Sequence, residues 1–214
     1  MKILIAYYSR TGYTEKLMKM IGSELEKEHT VEWEKIQNAE ESSGFGLLKK
    51  DLHHYPALFL GLLNKKWRDY FNRSYTQVEE DIMPLQHPDV SSFDRICIGG
   101  PKWARISYPV ARYLHTVKGL AGKKVASVST FGGPPLRVFE IELIKKSMNR
   151  IINEQGGSII THLGVSSGYH ELKLMPLFRF ISRVRFGKPV EKFSIESEYS
   201  NRLIQDCCKI IGSP

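Results

Sequence analysis

Hydrophobic residues follow two alternating spacings along most of the chain. Short apolar or alternating runs, which are typical of strands, occur at residues 2–8, 30–36, 94–99, 124–130 and 158–165. Between them, apolar residues such as Leu17, Ile21 and Leu25 recur every three to four positions, which predicts helices. We predict these helices at residues 13–27, 108–118, 138–154 and 198–211. Ser194 or Ser197 is the expected N-cap of the last helix.

The order of these elements predicts the fold class. Five strands that alternate with helices indicate a parallel sheet covered on both faces, so we predict an α/β three-layer sandwich. Two stretches, residues 38–92 and 166–192, are longer than a simple connection needs. Neither has enough apolar residues for a core of its own, so we predict one domain over residues 1–214 with two helical insertions.

Composition and charge narrow the function classes. The chain has 214 residues, of which 42% are hydrophobic, enough for one core. Cys97, Cys207 and Cys208 fit neither a disulfide framework nor a metal-ligand spacing, and no signal peptide or spanning apolar run is visible. We therefore expect a protein of the reducing cytoplasm. A formal charge of +8 indicates either a generally basic surface or an anionic partner.

A hydroxyl-rich turn follows the first predicted strand directly. Its sequence, SRTGYT, runs from Ser9 to Thr14 and opens the first predicted helix. The N–H groups at a helix N-terminus favour an anion, and small hydroxyl groups donate to phosphate oxygens without crowding them. The turn lacks the lysine of a nucleotide P-loop and the three glycines of a dinucleotide fingerprint. It predicts a site for a phosphate monoester, although ordinary helix capping uses the same residue types.

Three strand-end segments together resemble the cofactor loops of flavodoxins. SRTGYT resembles the flavodoxin loop that holds the phosphate of FMN. IGGPKW, residues 98–103, resembles the loop that carries an aromatic residue against the flavin ring, and STFGG, residues 129–133, resembles the loop at the edges of that ring. The resemblance covers the five-strand frame and not the insertions. It implies the strand order 2-1-3-4-5, in which the cofactor binds at the crevice between the first and third strands.

The resemblance also implies a role for each residue of the three loops. The residues assigned to the FMN phosphate are Ser9, Arg10, Thr11, Gly12, Tyr13 and Thr14. Those assigned to the ribityl chain and the ring are Pro101, Lys102, Trp103, Ala104 and Arg105. Those assigned to the ring edge are Thr130, Phe131, Gly132 and Gly133. Trp103 is expected to stack on the ring, although a core position would also suit a tryptophan, and Phe131 is a candidate for a second flanking aromatic residue.

Two cations in the second loop bear on the reaction. Electron-shuttle flavodoxins are typically acidic, whereas Lys102 and Arg105 would bring positive charge to the ring and stabilise its reduced, anionic form. We therefore expect an FMN-dependent oxidoreductase that passes electrons from a reduced donor, such as a nicotinamide, to a quinone-like acceptor. Two alternatives stay open: an electron-transfer flavodoxin without substrate turnover, and a flavin-free module that binds a membrane or a partner.

Both insertions combine basic and aromatic residues. One contains YPALFLGLLNKKWRDYFNR, residues 55–73, and the other contains KLMPLFRFISRVRFGK, residues 173–188, with five basic residues and no acidic one. Apolar residues recur at helical spacing in the second, at Leu177, Phe178, Ile181 and Val184. Such a basic amphipathic helix packs on its own domain, contacts an anionic membrane surface, or forms an interface with a protein or a second copy of the chain.

Other site classes receive no support from the sequence. No nucleic-acid-binding motif appears, so nucleic acid is not an expected partner. His53 and His54 are adjacent, point in different directions on a helix, and have no partner at metal-ligand spacing. We assign no metal ligand and no catalytic side chain.

Overall fold

A computed structural model gives the fold of this chain and describes residues 1–40, 60, 63–67, 80–102, 106–168 and 175–213. The strands are β1 (Lys2–Tyr8), β2 (Thr30–Ile36), β3 (Arg95–Pro101), β4 (Lys124–Phe131) and β5 (Ser158–Ser166). The α-helices are α1 (Tyr13–Leu25), α2 (Tyr108–Thr116), α3 (Glu142–Glu154), α4 (Met175–Phe186) and α5 (Glu198–Gly212). A π-helical turn, Arg137–Ile141, precedes α3, and a 3-10 helix, Val190–Phe193, precedes α5.

The strands form one parallel sheet in the order β2-β1-β3-β4-β5. The first and third strands are neighbours, with Ile3 opposite Arg95 and Tyr7 opposite Gly99. Almost every residue of β1, β3 and β4 is buried, whereas the edge strands β2 and β5 are partly exposed. That contrast is the one expected of a sheet whose centre is covered on both faces. The predicted α/β class and strand order are confirmed.

Two hydrophobic layers enclose the sheet. α1 and α5 pack on one face, where the core includes Ile5, Cys97 and Val128. α2 and α3 pack on the other face, where the core includes Leu4 and Ile98. Consecutive strand residues alternate between these layers because side chains of a strand point to opposite faces. The chain therefore builds the expected three layers.

The helix predicted at residues 138–154 begins differently from the prediction. The carbonyl of Leu136 accepts hydrogen bonds from the N–H groups of both Glu140, at 2.8 Å, and Ile141, at 3.2 Å. The second bond spans five residues, so the first turn is a π-turn, and regular α-helix starts only at Glu142. The α5 prediction is closer: Ser197 is the N-cap, and its hydroxyl accepts from the N–H of Ser200 at 3.2 Å.

Most of the first insertion, including His53 and His54, lies outside the described residues, so its helices stay a prediction. Its described end returns along β2, where Asn38 forms an antiparallel bridge with Ile82. The N–H of His87 donates to the buried carboxylate of Glu34 at 2.6 Å. The second insertion contains α4. In the described part of the chain, no helix combines the length and apolar character needed to cross a bilayer.

Candidate functional site

The turn between β1 and α1 is built around one glycine. Gly12 is the N-cap of α1 and has φ +84°, in the left-handed region where a Cβ is disfavoured. Its carbonyl starts the helix by accepting from the N–H of Lys16 at 2.9 Å. Gly12 has no side chain that could cap the first N–H groups of α1, and the space beside its Cα is open. A helix N-terminus of this kind suits an anion.

The hydroxyl groups of this turn differ in their surroundings. The Oγ of Ser9 is buried and has no hydrogen-bond partner within the described part of the chain. Leaving a buried polar group unpaired costs about 1–3 kcal/mol, so an orphan of this kind fits a site that a polar ligand completes. Thr11 is exposed. Thr14 is buried, and its Oγ1 lies 2.8 Å from the Oγ1 of Thr130.

Thr130 is the point where the three predicted loops meet. Its side chain reaches the start of α1 through Thr14, and its carbonyl accepts from the N–H of Lys102 at 2.7 Å. Thr130 also lies opposite Pro101 in the pairing of β3 and β4. The structure therefore brings the first, second and third loops together at the carboxyl ends of β1, β3 and β4, the place where open α/β sheets bind ligands.

Lys102 is neutralised by a carboxylate that the sequence analysis did not identify. Its Nζ lies 2.7 Å from Oε2 of Glu140, and the two side chains are only 12% and 5% exposed. The same Nζ lies 5.0 Å from the centre of the Phe139 ring. The expectation that Lys102 brings positive charge to the ring stays a prediction, but in this structure Glu140 already compensates that charge. A lone carboxylate in the apolar stretch Val138–Ile141 was the available signal, since a buried carboxylate needs a partner.

The aromatic residues of the predicted site are placed as follows. Trp103, Ala104 and Arg105 lie outside the described residues, so stacking by Trp103 and the charge of Arg105 stay predictions. Phe131 is buried, and its ring lies beside Gly164 of β5. A ring enclosed in this way offers little surface to a ligand, so the structure adds no support for Phe131 as a flanking residue.

The remaining loop residues lie against the π-turn and α4. Gly132 is partly exposed and Gly133 is buried. A Cβ on Gly133 would lie 2.7 Å from Oε1 of Glu140 and 3.2 Å from Cε1 of Phe178. A side chain at residue 133 would therefore require the Glu140 carboxylate to move and the Phe178 ring to give way slightly. Phe178, from the second insertion, is a neighbour of the third loop that no sequence motif indicated.

The first turn of α1 carries one acidic residue, Glu15. Its carboxylate binds Lys19 at 2.8 Å and Lys35 at 3.0 Å. Hydrogen bonds from these two lysines lower the pKa of Glu15 below its usual value. The two lysines compensate the negative charge that Glu15 would otherwise present beside the predicted phosphate site.

A second polar cluster, centred on the partly buried His162, lies between β4 and β5. Nδ1 of His162 is 2.6 Å from Oγ of Ser127, and Nε2 is 3.4 Å from Oγ of Ser129. Burial, with a smaller contribution from Lys145, lowers the pKa of His162 to about 4. The imidazole is therefore neutral at pH 7 and is held by hydroxyl groups of the sheet. Among the described residues, no group of His, Cys, Asp and Glu side chains could hold a metal ion.

Comparisons with known proteins identify the fold. No protein-family model matches the sequence, and no curated protein matches it. Flavodoxin 2 from Bacillus cereus aligns with 99% of this chain and 97% of its own, at a TM-score of 0.51 and 15% identity. A flavodoxin from Streptococcus pneumoniae TIGR4 aligns with 98% of this chain and 97% of its own, at a TM-score of 0.50 and 10% identity.

A flavoprotein from Lactobacillus acidophilus NCFM, solved in complex with FMN, aligns with 76% of this chain and 92% of its own, at a TM-score of 0.49 and 21% identity. The two flavodoxin alignments span nearly the whole of both chains. With the strand order β2-β1-β3-β4-β5, they show that this chain has the flavodoxin-like fold.

Proposed function

We propose that this protein binds FMN at the carboxyl ends of β1, β3 and β4 and uses it to transfer electrons. The observation that carries the proposal is the β1–α1 turn. There Gly12, in the left-handed backbone region, is the N-cap of α1. The buried hydroxyl of nearby Ser9 has no hydrogen-bond partner in the described part of the chain. This combination fits a phosphate ester at the point where neighbouring strands lead to opposite faces.

The residues that would hold FMN follow from this placement. Ser9 and Thr11 would donate hydroxyl groups to the phosphate, together with backbone N–H groups of the turn from Arg10 to Tyr13. Thr14 and Thr130, already bonded to each other, would support the turn from the sheet. Gly132, Gly133 and the loop that starts at Pro101 would line the ring, with Trp103 as its stacking residue. When bound, FMN supplies the redox chemistry, which no side chain described here provides.

The acceptor that we propose is a small quinone-like molecule, with a nicotinamide or a reductase as the electron donor. Positive charge beside the ring would favour such a function because it stabilises the reduced flavin. With Lys102 paired to Glu140, Arg105 is the residue that would supply this charge. A second candidate, an electron carrier that turns over no substrate, is favoured by the pairing of Lys102 with Glu140, which removes one of the two cations.

FMN binding is tested with the purified full chain and with one variant that lacks two hydroxyl groups. Titration of the apoprotein into FMN should quench the flavin fluorescence, and Ser9→Ala combined with Thr11→Ala should weaken binding. We expect a loss of about tenfold or more per hydroxyl, since a hydrogen bond to a charged group is worth about 1.5–3 kcal/mol. These two residues are chosen because replacing Thr14 would also break its bond to Thr130.

A matched control is Ser23→Ala, which removes an exposed hydroxyl from the other end of the same helix. It should leave the dissociation constant unchanged. Wild-type protein that fails to bind FMN, or a double variant that binds it as tightly as the wild type, would contradict the assignment. A colourless protein without flavin affinity would instead support the flavin-free binding module.

Turnover separates the enzyme from the carrier. The FMN-loaded protein is mixed with NADPH and a water-soluble quinone, and the oxidation of NADPH is followed in the steady state. Catalytic oxidation by the pure protein supports the quinone-linked oxidoreductase. Flavin that is reduced and reoxidised only in the presence of a separate reductase supports the carrier.

A further inference from the structure

The outward face of α4 carries three large apolar side chains in contact with water. Leu177, Phe180 and Val184 are 51%, 65% and 71% exposed. Their spacing of three and four residues places them on one side of the helix. Exposed apolar residues at neighbouring helical positions are typical of a surface that contacts a protein, a membrane or another ligand.

The opposite face of α4 is fixed to the rest of the molecule. Phe178 lies beside Gly133, and the hydroxyl of Ser182 donates to the carbonyl of Lys188 at 2.7 Å. The rings of Phe186 and Phe193 are 5.1 Å apart. This corrects the simple amphipathic pattern expected from the sequence, because the apolar residues of α4 divide between two faces. Only the inward set, which includes Phe178, packs on the domain.

Basic residues surround the exposed apolar face. Arg183, Arg185 and Lys188 are exposed, and α4 contains no acidic residue. Arg179 lies one turn before Arg183 and is paired with Glu191 at 3.2 Å. Cations beside a solvent-exposed apolar stripe match the chemistry of an anionic lipid surface, where headgroups are negative and acyl chains lie just beneath them.

We propose that α4 docks this protein on an anionic membrane surface through Leu177, Phe180 and Val184, with Arg183, Arg185 and Lys188 on the lipid headgroups. A symmetric dimer through the same face fits less well. An isologous contact would bring each copy's basic residues close to those of the other copy, and like charges repel. The proposal concerns the outside of α4 and does not depend on FMN binding.

Vesicle sedimentation with the purified full chain tests this docking. We expect binding to vesicles of phosphatidylcholine with one quarter phosphatidylglycerol, and much weaker binding to pure phosphatidylcholine. Replacing Arg183, Arg185 and Lys188 together by Gln should lower the partition coefficient about fivefold per residue at low salt. Phe180→Ser with Val184→Ser should lower it at least tenfold, and high salt should weaken wild-type binding.

The matched control uses the exposed surface of α5. Ile210 is 43% exposed, and Lys209 beside it is paired with Asp206 at 3.5 Å. Ile210→Ser with Lys209→Gln removes one exposed apolar and one exposed basic side chain and should leave vesicle binding unchanged. Circular dichroism of each variant verifies that the fold is retained.

A second measurement reports on α4 itself. In a Phe180→Trp variant, the additional tryptophan emission should shift to the blue and be quenched by brominated lipids when anionic vesicles are added. Absence of wild-type binding to anionic vesicles, or equal binding by the α4 and control variants, would overturn the proposal. A dimer in sedimentation velocity that Phe180→Ser with Val184→Ser dissociates, without vesicle binding, would assign the face to a second copy and overturn it as well.

Discussion

Gly12 holds a backbone conformation that costs energy for any residue with a Cβ. An alanine there would keep φ +84° with a penalty of about 1–2 kcal/mol, although the surrounding space is open. We expect Gly12→Ala to lower the free energy of unfolding in urea by up to that amount. We also expect it to weaken FMN binding, because a shift of the turn would relieve part of the strain and move the N–H groups of the turn.

Gly122 provides the matched comparison for that substitution. It also has positive φ, at 75°, and open space beside it, but it lies in the turn before β4 at the opposite end of the sheet. Gly122→Ala should cost similar stability and leave FMN affinity intact. Equal effects of the two substitutions on affinity would argue against a role of the β1–α1 turn in binding.

Glu140 is expected to contribute to both the stability of the protein and the reduction potential of bound FMN. In Glu140→Gln, Lys102 keeps a hydrogen-bond acceptor but loses its nearly buried counter-charge, so we expect a loss of about 2–4 kcal/mol in urea unfolding. In the FMN-loaded protein, the unpaired Lys102 should raise the reduction potential. Glu198→Gln, which disrupts the exposed pair with Arg202, should cost a small fraction of that stability and leave the potential unchanged.

The placement of a residue could be predicted where it lies in a short motif directly after a predicted strand. The hydroxyl groups and the glycine of SRTGYT lie at the carboxyl end of β1, as their order along the chain required. The pairing of Lys102 with Glu140 joins residues 38 positions apart, and the contact of Phe178 with Gly133 joins residues from β4's loop and an insertion. Contacts of this kind depend on how elements pack against one another, and the spacing of residues along the sequence does not predict them.

At the scale of elements, most limits were predictable: α1, α2 and α5 start where the sequence predicts, and only α3 starts differently. β1 is marked by a buried apolar run and β2 by alternating residues, and both strands have the predicted limits. The π-turn before α3 depends on how Leu136 accepts two N–H groups, and sequence periodicity does not distinguish that geometry from a regular turn. For α4, periodicity predicted a helix but could not separate the residues that pack inward from those that face water.

The packing of α5 should protect the thiols of Cys207 and Cys208 from alkylation. Burial, with a smaller contribution from a neighbouring thiol or carboxylate, raises the pKa of both Cys207 and Cys208 to about 12, and burial raises the pKa of Cys97 well above its usual range. Iodoacetamide reacts with thiolates, so native protein at pH 7.5 should remain unmodified while urea-unfolded protein gains three adducts by mass spectrometry. Rapid modification of Cys207 or Cys208 in the native protein would show that α5 leaves the sheet readily.

The acid stability of the whole molecule should depend on His162. Its pKa is about 4 in the fold against about 6.5 in an unfolded chain, so the unfolded state takes up the proton first as the pH falls. The stability contributed by the neutral imidazole is complete above pH 6.5 and is lost as the pH falls towards 4, by about 3 kcal/mol in total.

Urea unfolding at several pH values measures this loss. His162→Asn, which cannot titrate, should show a shallower decline between pH 6.5 and 4 than the wild type. His115→Asn, which replaces an exposed histidine of α2, should follow the wild-type curve. Parallel curves for the wild type and His162→Asn would show that the partly buried imidazole is already protonated near its ordinary pKa.

The overall fold could be predicted because it follows from the order of elements and from the neighbouring positions of β1 and β3. The sequence predicted less about the two insertions, which lie outside the five-strand sheet and its covering helices. The insertion at 38–92 carries no motif that a five-strand sheet dictates, and the exposed side of α4 is explained only when its packed side is known.

Gly133 lies against the π-turn that follows its own loop and against α4, which is distant in sequence. A methyl group there would displace the Glu140 carboxylate and contact Phe178 tightly, so one position constrains two others. As relatives of this protein diverge, we expect a side chain at residue 133 to arise most often together with a smaller residue at 178 or 140. Correlated substitution at these three positions would indicate that α4 cannot shift unless the loop after β4 moves with it.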